Sequence, residues 1–364
     1  MILSCTNKKQ TEKGIIYIDV NENYPDKSID IEEIADIKYV QPEFNENYLF
    51  NFAIKYVTSS TITIHDLQTR DFLFFSIDGK MKSKFNRTGG GPGEYSQINS
   101  LVYDEQDDKL FAMTYNNIIV YSSEGNHFYT IDLPEGARIR NIVNYDKESL
   151  LVYHEGKGYN KNFVRISKRD GAVIEEININ HKEIDLFISN RQVGEVTVKS
   201  YGPTINIMKN KNGFFLTDHS NDTVYHYEGN DILSPAIVRT PPIYKMEPYI
   251  YINGFIETGG YLFFQKIKAV MENRDVPTDY LMIDKKDYSI YKQKIFLKDY
   301  AGKDINLPSV ISNGNFDSKF GFIELKLDEL KEAYAENKLR GKLKELVEAS
   351  DDDSNNIFML LYYK

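Results

Sequence analysis

The stretch that decides the fold is FLFFSIDGKMKSKFNRTGGGPGEY, which runs from Phe72 to Tyr95. It predicts a strand, a tight turn at Asp78-Gly79, a second strand, and a connecting loop with four glycines and one proline in five residues. Outward from this stretch, short apolar segments recur between polar turn residues, with a longer period of about 40 to 50 residues, the length of one four-stranded blade. The pattern predicts an all-β chain folded as a six-bladed β-propeller.

The composition agrees with an all-β protein. The 364 residues include 27 Tyr and 21 Phe but no Trp, and aromatic residues favour the half-buried surfaces of strands. The net charge of −10 disfavours binding to nucleic acid or to anionic lipid, because both need a positive surface. There is no run of about 18 or more apolar residues, so the sequence predicts no membrane-spanning helix.

One segment near each end of the chain predicts how the ring closes. The last apolar run, Ile357–Tyr363, predicts a strand, and residues 37–41 are the N-terminal segment expected to pair with it. Such pairing removes exposed sheet edges. Residues 327–347 carry apolar side chains at spacings of mostly three or four, which predicts one amphipathic helix inserted in the last blade. We expect this helix to pack on the propeller, with partner binding as the alternative.

Residues 1–30 are predicted to lie outside the propeller, which then spans residues 31–364. The single cysteine, Cys5, follows Ile2-Leu3-Ser4 and matches the end of a bacterial lipoprotein signal, although most of that signal is missing and a start further upstream is then required. The prediction is a lipid anchor on Cys5 followed by a flexible tether, in the cell envelope and facing the periplasm. The alternative is a free cysteine in a disordered tail.

The glycine-rich loop holds the candidate binding residues. Glycine amides can cradle an anion, and an arginine beside them would add charge. The loop is no P-loop, because it lacks Gly-Lys-Ser/Thr. The alternative is a purely structural crossover in which the arginine or a backbone amide satisfies the glutamate. The candidate residues are Arg87, Gly90, Gly91, Gly93, Glu94 and Tyr95.

No catalytic signature is present. The six histidines form no His-x-x-x-His pair, one cysteine cannot complete a zinc site, and the Gly-x-Ser-x-Gly elbow is missing. No cofactor or metal is therefore predicted, although calcium held in the central channel by several blades would leave no local motif. His219, close to Asp218 and Asp222, is a weak candidate for acid–base work or metal binding.

The tyrosines allow two interpretations. Their regular placement in strands predicts packing within blades, and a platform for stacking sugars is the alternative. The tyrosines in question are Tyr103, Tyr115, Tyr121, Tyr145 and Tyr153.

Residues 75–80, FSIDGK, and 89–95, GGGPGEY, resemble motifs of the six-bladed β-propeller lipoproteins of Bacteroidetes, which are related in fold to NHL and TolB-like propellers. Residues 221–225 and 355–359 are weaker matches. In the second of these segments the family commonly has Asn-Pro, and this chain carries Asn356 in place of the proline. The resemblance covers most of the chain from about residue 30. It implies the fold and the location, and no catalytic residue.

Together these observations predict a membrane-tethered monomer in the cell envelope, without enzymatic activity. Its expected partner is a glycan, a peptide or an envelope protein, bound on the top face where loops from every blade meet. The alternative is a calcium-type hydrolase or lyase with acidic residues around the channel. That enzyme requires three or more converging Asp, Glu, Asn or His side chains.

Overall fold

The fold confirms the predicted class. A computed structural model describes residues 11–12, 14–43, 53–181, 184, 187–193, 196–201, 204–230, 232–273, 275–307, 319–351 and 353–364. The protein is mostly β, with 55% of residues in strands and 8% in helices, and it is a six-bladed β-propeller.

The strands in chain order are β1 (Thr11–Glu12), β2 (Ile15–Asp19), β3 (Asp26–Asp30), β4 (Ala35–Val40), β5 (Ala53–Val57), β6 (Thr61–Asp66), β7 (Phe72–Ser76), β8 (Met81–Phe85), β9 (Ser100–Asp104), β10 (Lys109–Met113), β11 (Asn117–Tyr121), β12 (His127–Asp132), β13 (Ala137–Asn144), β14 (Ser149–Gly156), β15 (Phe163–Ser167), β16 (Val173–Ile177), β17 (Phe187–Val193), β18 (Val196–Tyr201), β19 (Ile207–Asn210), β20 (Gly213–Thr217), β21 (Thr223–Gly229), β22 (Ile232–Thr240), β23 (Ile250–Glu257), β24 (Tyr261–Lys268), β25 (Thr278–Asp284), β26 (Ile290–Leu297), β27 (Tyr300–Ile305), β28 (Phe320–Leu325) and β29 (Ile357–Tyr363). The helices are α1 (Ile31–Ile34), α2 (Leu327–Ala335) and α3 (Gly341–Glu348), and a 3₁₀ turn covers Ile243–Lys245.

The chain divides into two compact units. Unit 1 holds the described residues of Met1–Ile29, Asn180–Lys294 and Asn306–Ser309, and unit 2 holds those of Asp30–Ile179, Ile295–Ile305 and Val310–Lys364. Unit 2 contains blade 1 (β5–β8), blade 2 (β9–β12), blade 3 (β13–β16) and blade 6 (β28, β29 and β4). Unit 1 contains blade 4 (β19–β22), most of blade 5 (β23–β26) and the hairpin β17–β18.

Apolar side chains pack between neighbouring blades of unit 2. Phe72 and Phe74 of blade 1 share one buried cluster with Leu110 and Tyr121 of blade 2. A second cluster joins blade 2 to blade 3. The outer strands alternate buried and exposed residues instead, because one of their faces meets solvent.

Ring closure follows the prediction. Strand β4 pairs antiparallel with β29, with Ile37 opposite Leu361 and Val40 opposite Phe358. The closing strands bury their apolar side chains against blade 1, where Phe358 and Phe322 lie in one cluster with Phe75. The N-terminal strand therefore completes the last blade, as the apolar character of both segments predicted.

The predicted single helix is wrong in one respect. Helices α2 and α3 both lie between β28 and β29, but a break separates them. Asn337 adopts a left-handed backbone (φ 57°), and Gly341 does so as well (φ 54°). A Cβ on Gly341 would lie 2.7 Å from a carboxylate oxygen of Asp299, so the chain needs glycine there. Apolar residues continue at helical spacing across the break, so the sequence pattern does not reveal the break.

The flexible tether predicted for residues 1–30 does not extend over residues 15–30. Strand β2 pairs in parallel with β22, and Ile18 and Val20 are buried. The reason is that residues 15–18 form an apolar, β-prone run that adds a strand to blade 4. Residues 1–10 with Cys5, residues 44–52 and the segment from Pro308 to residue 318 lie outside the described residues.

Candidate functional site

Five connections of unit 2 form one hydrogen-bonded row, which we term the loop rim. It consists of residues 66–71, 86–99, 113–117, 133–137 and 156–162. Strands alternate in direction within a blade, so the turn from second to third strand and the connection to the next blade lie at the same end. The loop rim therefore gathers the ends of blades 1, 2 and 3 into one surface.

Backbone hydrogen bonds link the row from blade to blade. The amide of Asn99 donates to the carbonyl of Met113 (2.8 Å), and that of Leu133 donates to the carbonyl of Asn116 (3.0 Å). The amide of Lys157 donates to the carbonyl of Gly136 (3.2 Å). Each connection is thus held by its neighbour along the row.

Tyr95 fixes the first two connections to each other. Its hydroxyl donates to the carbonyl of Arg70 (2.6 Å) and accepts the amide of Arg87 (3.3 Å). Its ring is 1% exposed and meets His65 and Phe72 edge-on. Tyr95 was predicted to contact ligand, but a buried ring cannot do so. Its role in the structure is to position the loop.

Glu94 occupies the concavity that the glycines create. Its Oε2 accepts the amide of Gly91 (2.8 Å), and a Cβ on Gly89 would lie only 2.0 Å from that oxygen. The protein's own carboxylate thus takes the position where an anion would bind. A backbone amide satisfies Glu94, which matches the structural alternative. Gly90 is exposed, and a Cβ there would meet open space.

The remaining residues of the loop are anchored to blade 2. The Nε of Arg87 donates to the carbonyl of Gly125 (3.0 Å), while the residue as a whole is exposed. Gly93 has φ +71°, its carbonyl accepts the hydroxyl of Tyr121 (2.8 Å), and a Cβ there would lie 2.6 Å from the ring of His127. Among the described residues Arg87 forms no ion pair with Glu94. The structure therefore brings the six predicted residues together, but it leaves only the glycine tip, Arg87 and Glu94 exposed.

Sequence reasoning missed the most exposed aromatic residue of the rim. Tyr115 was predicted to pack within a blade, but it is 67% exposed, whereas Tyr103, Tyr121 and Tyr153 are buried as predicted. Tyr115 lies two residues beyond the end of β10, in a turn where Thr114 Oγ1 donates to Asn117 Oδ1 (2.8 Å). The Thr-Tyr-Asn-Asn order was a turn signal that places this ring outside the strand.

A buried polar cluster lies in unit 1, around the weak candidate His219. Asp218 accepts the hydroxyl of Ser220 on Oδ1 (2.6 Å), and its Oδ2 contacts Nδ1 of His181 (2.8 Å). Burial alone would raise the pKa of Asp218, but the hydrogen bonds from His181 and Ser220 outweigh it and lower that pKa. Ser220 and His181 contact different oxygens of this one aspartate, whereas a nucleophilic triad places the histidine between the serine and the aspartate.

His219 itself is held by structural contacts. Its Nε2 lies 3.2 Å from Asn253 Oδ1, and its ring meets Tyr251 edge-on. Within the described part of the chain, no three His, Cys, Asp or Glu side chains are grouped closely enough to hold a metal ion. No described helix has the length and apolar character needed to cross a membrane.

His65 beneath the rim makes stability depend on pH. Burial lowers the pKa of its imidazole from 6.5 to about 4, although the nearby carboxylate of Asp66 acts in the opposite direction. Between these pH values the unfolded chain binds the proton and the folded chain does not, so lowering the pH from 6.5 to 4 favours unfolding. We expect this residue to remove about 3 kcal/mol of stability over that range.

His65→Gln tests this expectation through urea unfolding measured from pH 7 to 4. The variant is expected to lose part of the pH dependence, because glutamine does not titrate. His127→Gln, at an exposed histidine, serves as the control and keeps the dependence of the parent protein. Identical pH profiles for the His65 variant and the parent would contradict the assignment.

Comparison with known proteins identifies the family of this chain and finds solved structures with a similar fold. A model of a domain of unknown function, DUF4934, matches residues 15–362. A Bacteroides fragilis protein provisionally named as exported has a similar structure, with a TM-score of 0.66 at 17% identity over 96% of this chain and 99% of that one. A member of the DUF4221 family from Bacteroides vulgatus gives a TM-score of 0.51 at 10% identity, over 91% and 98% of the two chains. No curated protein matches this chain significantly in sequence. The match over nearly the whole length shows that the chain belongs to the DUF4934 family.

Proposed function

We propose that this protein is an exported propeller of the cell envelope that binds a glycan, a peptide or an envelope protein through the loop rim. The exposed ring of Tyr115 on a hydrogen-bonded row of loops is the observation that carries the proposal. A tyrosine that offers a flat apolar ring and a polar hydroxyl at the surface is suited to contact with a sugar or a peptide. Rigid loops also reduce the entropy that is lost on binding.

Other features of the rim support the same conclusion. Leu67 is 49% exposed in the turn beside the glycine loop, so apolar surface is not confined to Tyr115. Gly90 and Gly91 present backbone without side chains, which allows a ligand to approach closely. The structural neighbour from Bacteroides fragilis, which is provisionally named as exported, supports a location in the envelope for this chain.

A substitution at Tyr115 tests the proposal. Tyr115→Ala removes the stacking surface, and we expect it to weaken binding at least about fivefold for whichever probe the protein binds. The probes are dextran, starch, xylan, polygalacturonate and chondroitin sulfate in affinity gels, and a peptide array of casein. Phe128→Ala, at an exposed ring on the outer strand β12, is the matched control and keeps the parent affinity.

Equal binding by the Tyr115 variant and the parent across all probes would contradict the proposal. The alternative function, a calcium-dependent hydrolase or lyase, is tested by adding calcium and then EDTA to the same gels. Cleavage of a polymer that depends on calcium would favour that enzyme over a binding module.

The anchor on Cys5 belongs to the same proposal. A thioether-linked lipid would hold the propeller at the membrane surface without insertion of the chain. Cys5→Ala in the native host, with any upstream signal intact, is expected to shift the protein from the membrane fraction to the soluble fraction. An unchanged membrane fraction would exclude the anchor.

A further inference from the structure

Three exposed basic residues of the loop rim, and a fourth beside it at the start of β13, form no ion pair with any described residue. They are Arg70, Arg87 and Lys157 of the rim and Arg138 of β13. The chain as a whole carries a net charge of −10. A surface that gathers basic side chains without acidic partners therefore differs from the average charge of the protein. Some other exposed cations of unit 2 have acidic partners, whereas Lys80 and Lys147, in separate turns, form no ion pair with a described residue. Arg140 pairs with Glu155 (2.8 Å), and Lys84 pairs with Asp71 (2.9 Å).

The acidic residues of the rim are mostly engaged in the fold. Asp66 is buried and accepts the amides of Gln68 (2.8 Å) and Thr69 (2.7 Å). Glu94 accepts the amide of Gly91, but it is exposed and keeps its negative charge. Glu135 is also exposed, and it accepts no such hydrogen bond from a described residue. The basic groups therefore outnumber the acids that remain open to a ligand.

The fold places the four cations in two pairs. Arg70 and Arg87 are joined because their backbones bind the same buried hydroxyl of Tyr95. Arg138 and Lys157 lie at the other end of the row, where the connection into β13 is hydrogen-bonded to the turn after β14. Along the row of hydrogen bonds, the turn with Tyr115 comes between the two pairs.

Positive charge at both ends with an exposed aromatic ring between them suits a linear polymer that repeats its anionic groups. We infer that the loop rim binds an acidic polysaccharide. Its carboxylate or sulfate groups contact Arg70 and Arg87 at one end and Arg138 and Lys157 at the other, and one sugar ring stacks on Tyr115. The inference rests on the proposed function and names its ligand class.

Two other classes of polyanion fit less well. Duplex nucleic acid carries about one charge per 1.7 Å, and so dense an array is repelled by a protein of this net charge. An acidic polypeptide offers carboxylates but no flat sugar face for Tyr115. Poly-glutamate in the experiment distinguishes an acidic polypeptide from an acidic polysaccharide.

The test uses affinity electrophoresis of the full chain with polygalacturonate and chondroitin sulfate as the acidic polymers. Dextran is the neutral polymer, and poly-glutamate represents acidic polypeptides. We expect both acidic polysaccharides to retard the protein, and dextran to have no effect. The retardation should weaken as salt is raised, since exposed charge pairs are screened.

Arg70→Gln/Arg87→Gln removes one pair of cations and is expected to weaken binding about tenfold. The matched control, Lys80→Gln/Arg169→Gln, removes the same charge from two exposed positions in turns between third and fourth strands of blades. It should stay within about twofold of the parent protein. Equal midpoints of thermal unfolding show that both variants are folded.

Three results would overturn the inference: no retardation by either acidic polysaccharide, equal retardation by poly-glutamate, or equal losses in the two double variants. Binding of a neutral polymer or a peptide that still depends on Tyr115 would overturn only the acidic ligand class and leave the proposed function in place. Binding of acidic polymers that depends on neither Tyr115 nor the two arginines would overturn both.

Discussion

Removal of Arg239 is expected to lower the free energy of unfolding by about 3–5 kcal/mol, because it deletes a buried side chain and leaves the half-buried carboxylate of Asp222 without its partner. Arg239 is almost fully buried, and its NH2 lies 2.5 Å from Asp222 Oδ1. Its NH1 donates to the carbonyl of Ile250 (2.8 Å), and Asp222 also accepts the amide of Ile243 (2.8 Å). One ion pair thus fixes the segment between blades 4 and 5.

Urea unfolding of Arg239→Ala, of Asp222→Ala and of the double variant Arg239→Ala/Asp222→Ala measures the effect. The double variant should lose less than the sum of its single variants, because no unpaired charge stays buried. Arg140→Ala, which breaks the exposed pair with Glu155, is the control and should cost less than about 1 kcal/mol. A cost for Arg239→Ala no larger than the control would refute the structural role of the buried pair.

Phe358→Ala is expected to cost about 3–5 kcal/mol, since it opens a cavity in the sheet that closes the ring. Phe358 is 0% exposed, stands opposite Val40 of β4, and packs on Phe322 at a ring distance of 5.7 Å. The cavity would weaken the contact between the N-terminal and C-terminal strands. The unfolding transition should therefore move to a lower midpoint.

Phe128→Ala is the control for this prediction, because the ring of Phe128 is 49% exposed on an outer strand. We expect it to change stability by no more than about 0.5 kcal/mol. Thermal and urea midpoints of both variants give the comparison. Equal midpoints for the two variants would show that Phe358 does not support the closure described here.

Local pattern was enough to predict the blades and the closing strands. Alternating apolar residues and turn signals depend on neighbours in sequence, and closure follows from the need to pair sheet edges. The pairing of β2 with β22 could not be predicted, because it joins segments more than 200 residues apart. The helix break was not predicted, because Leu339 within the break and Leu343 beyond it continue the apolar stripe.

The candidate site was predicted in part. The glycine pattern located the loop, but only geometry shows that Glu94 fills its concavity. The sequence does not show that Arg70 lies near Arg87. The two are brought together by the hydroxyl of Tyr95, which is 25 residues beyond Arg70. The exposure of Tyr115 could have been predicted from the sequence, because turn residues surround it. It was not predicted, because Tyr115 was grouped with the regularly placed tyrosines of the strands.

The measurement that tests the central proposal most directly is hydrogen–deuterium exchange of the full chain with and without polygalacturonate. Binding through the loop rim predicts slower exchange in residues 86–99, 113–117 and 156–162 and no change in the turns between third and fourth strands of blades 1 and 3. Protection confined to those turns, or to segments of unit 1, would contradict the account.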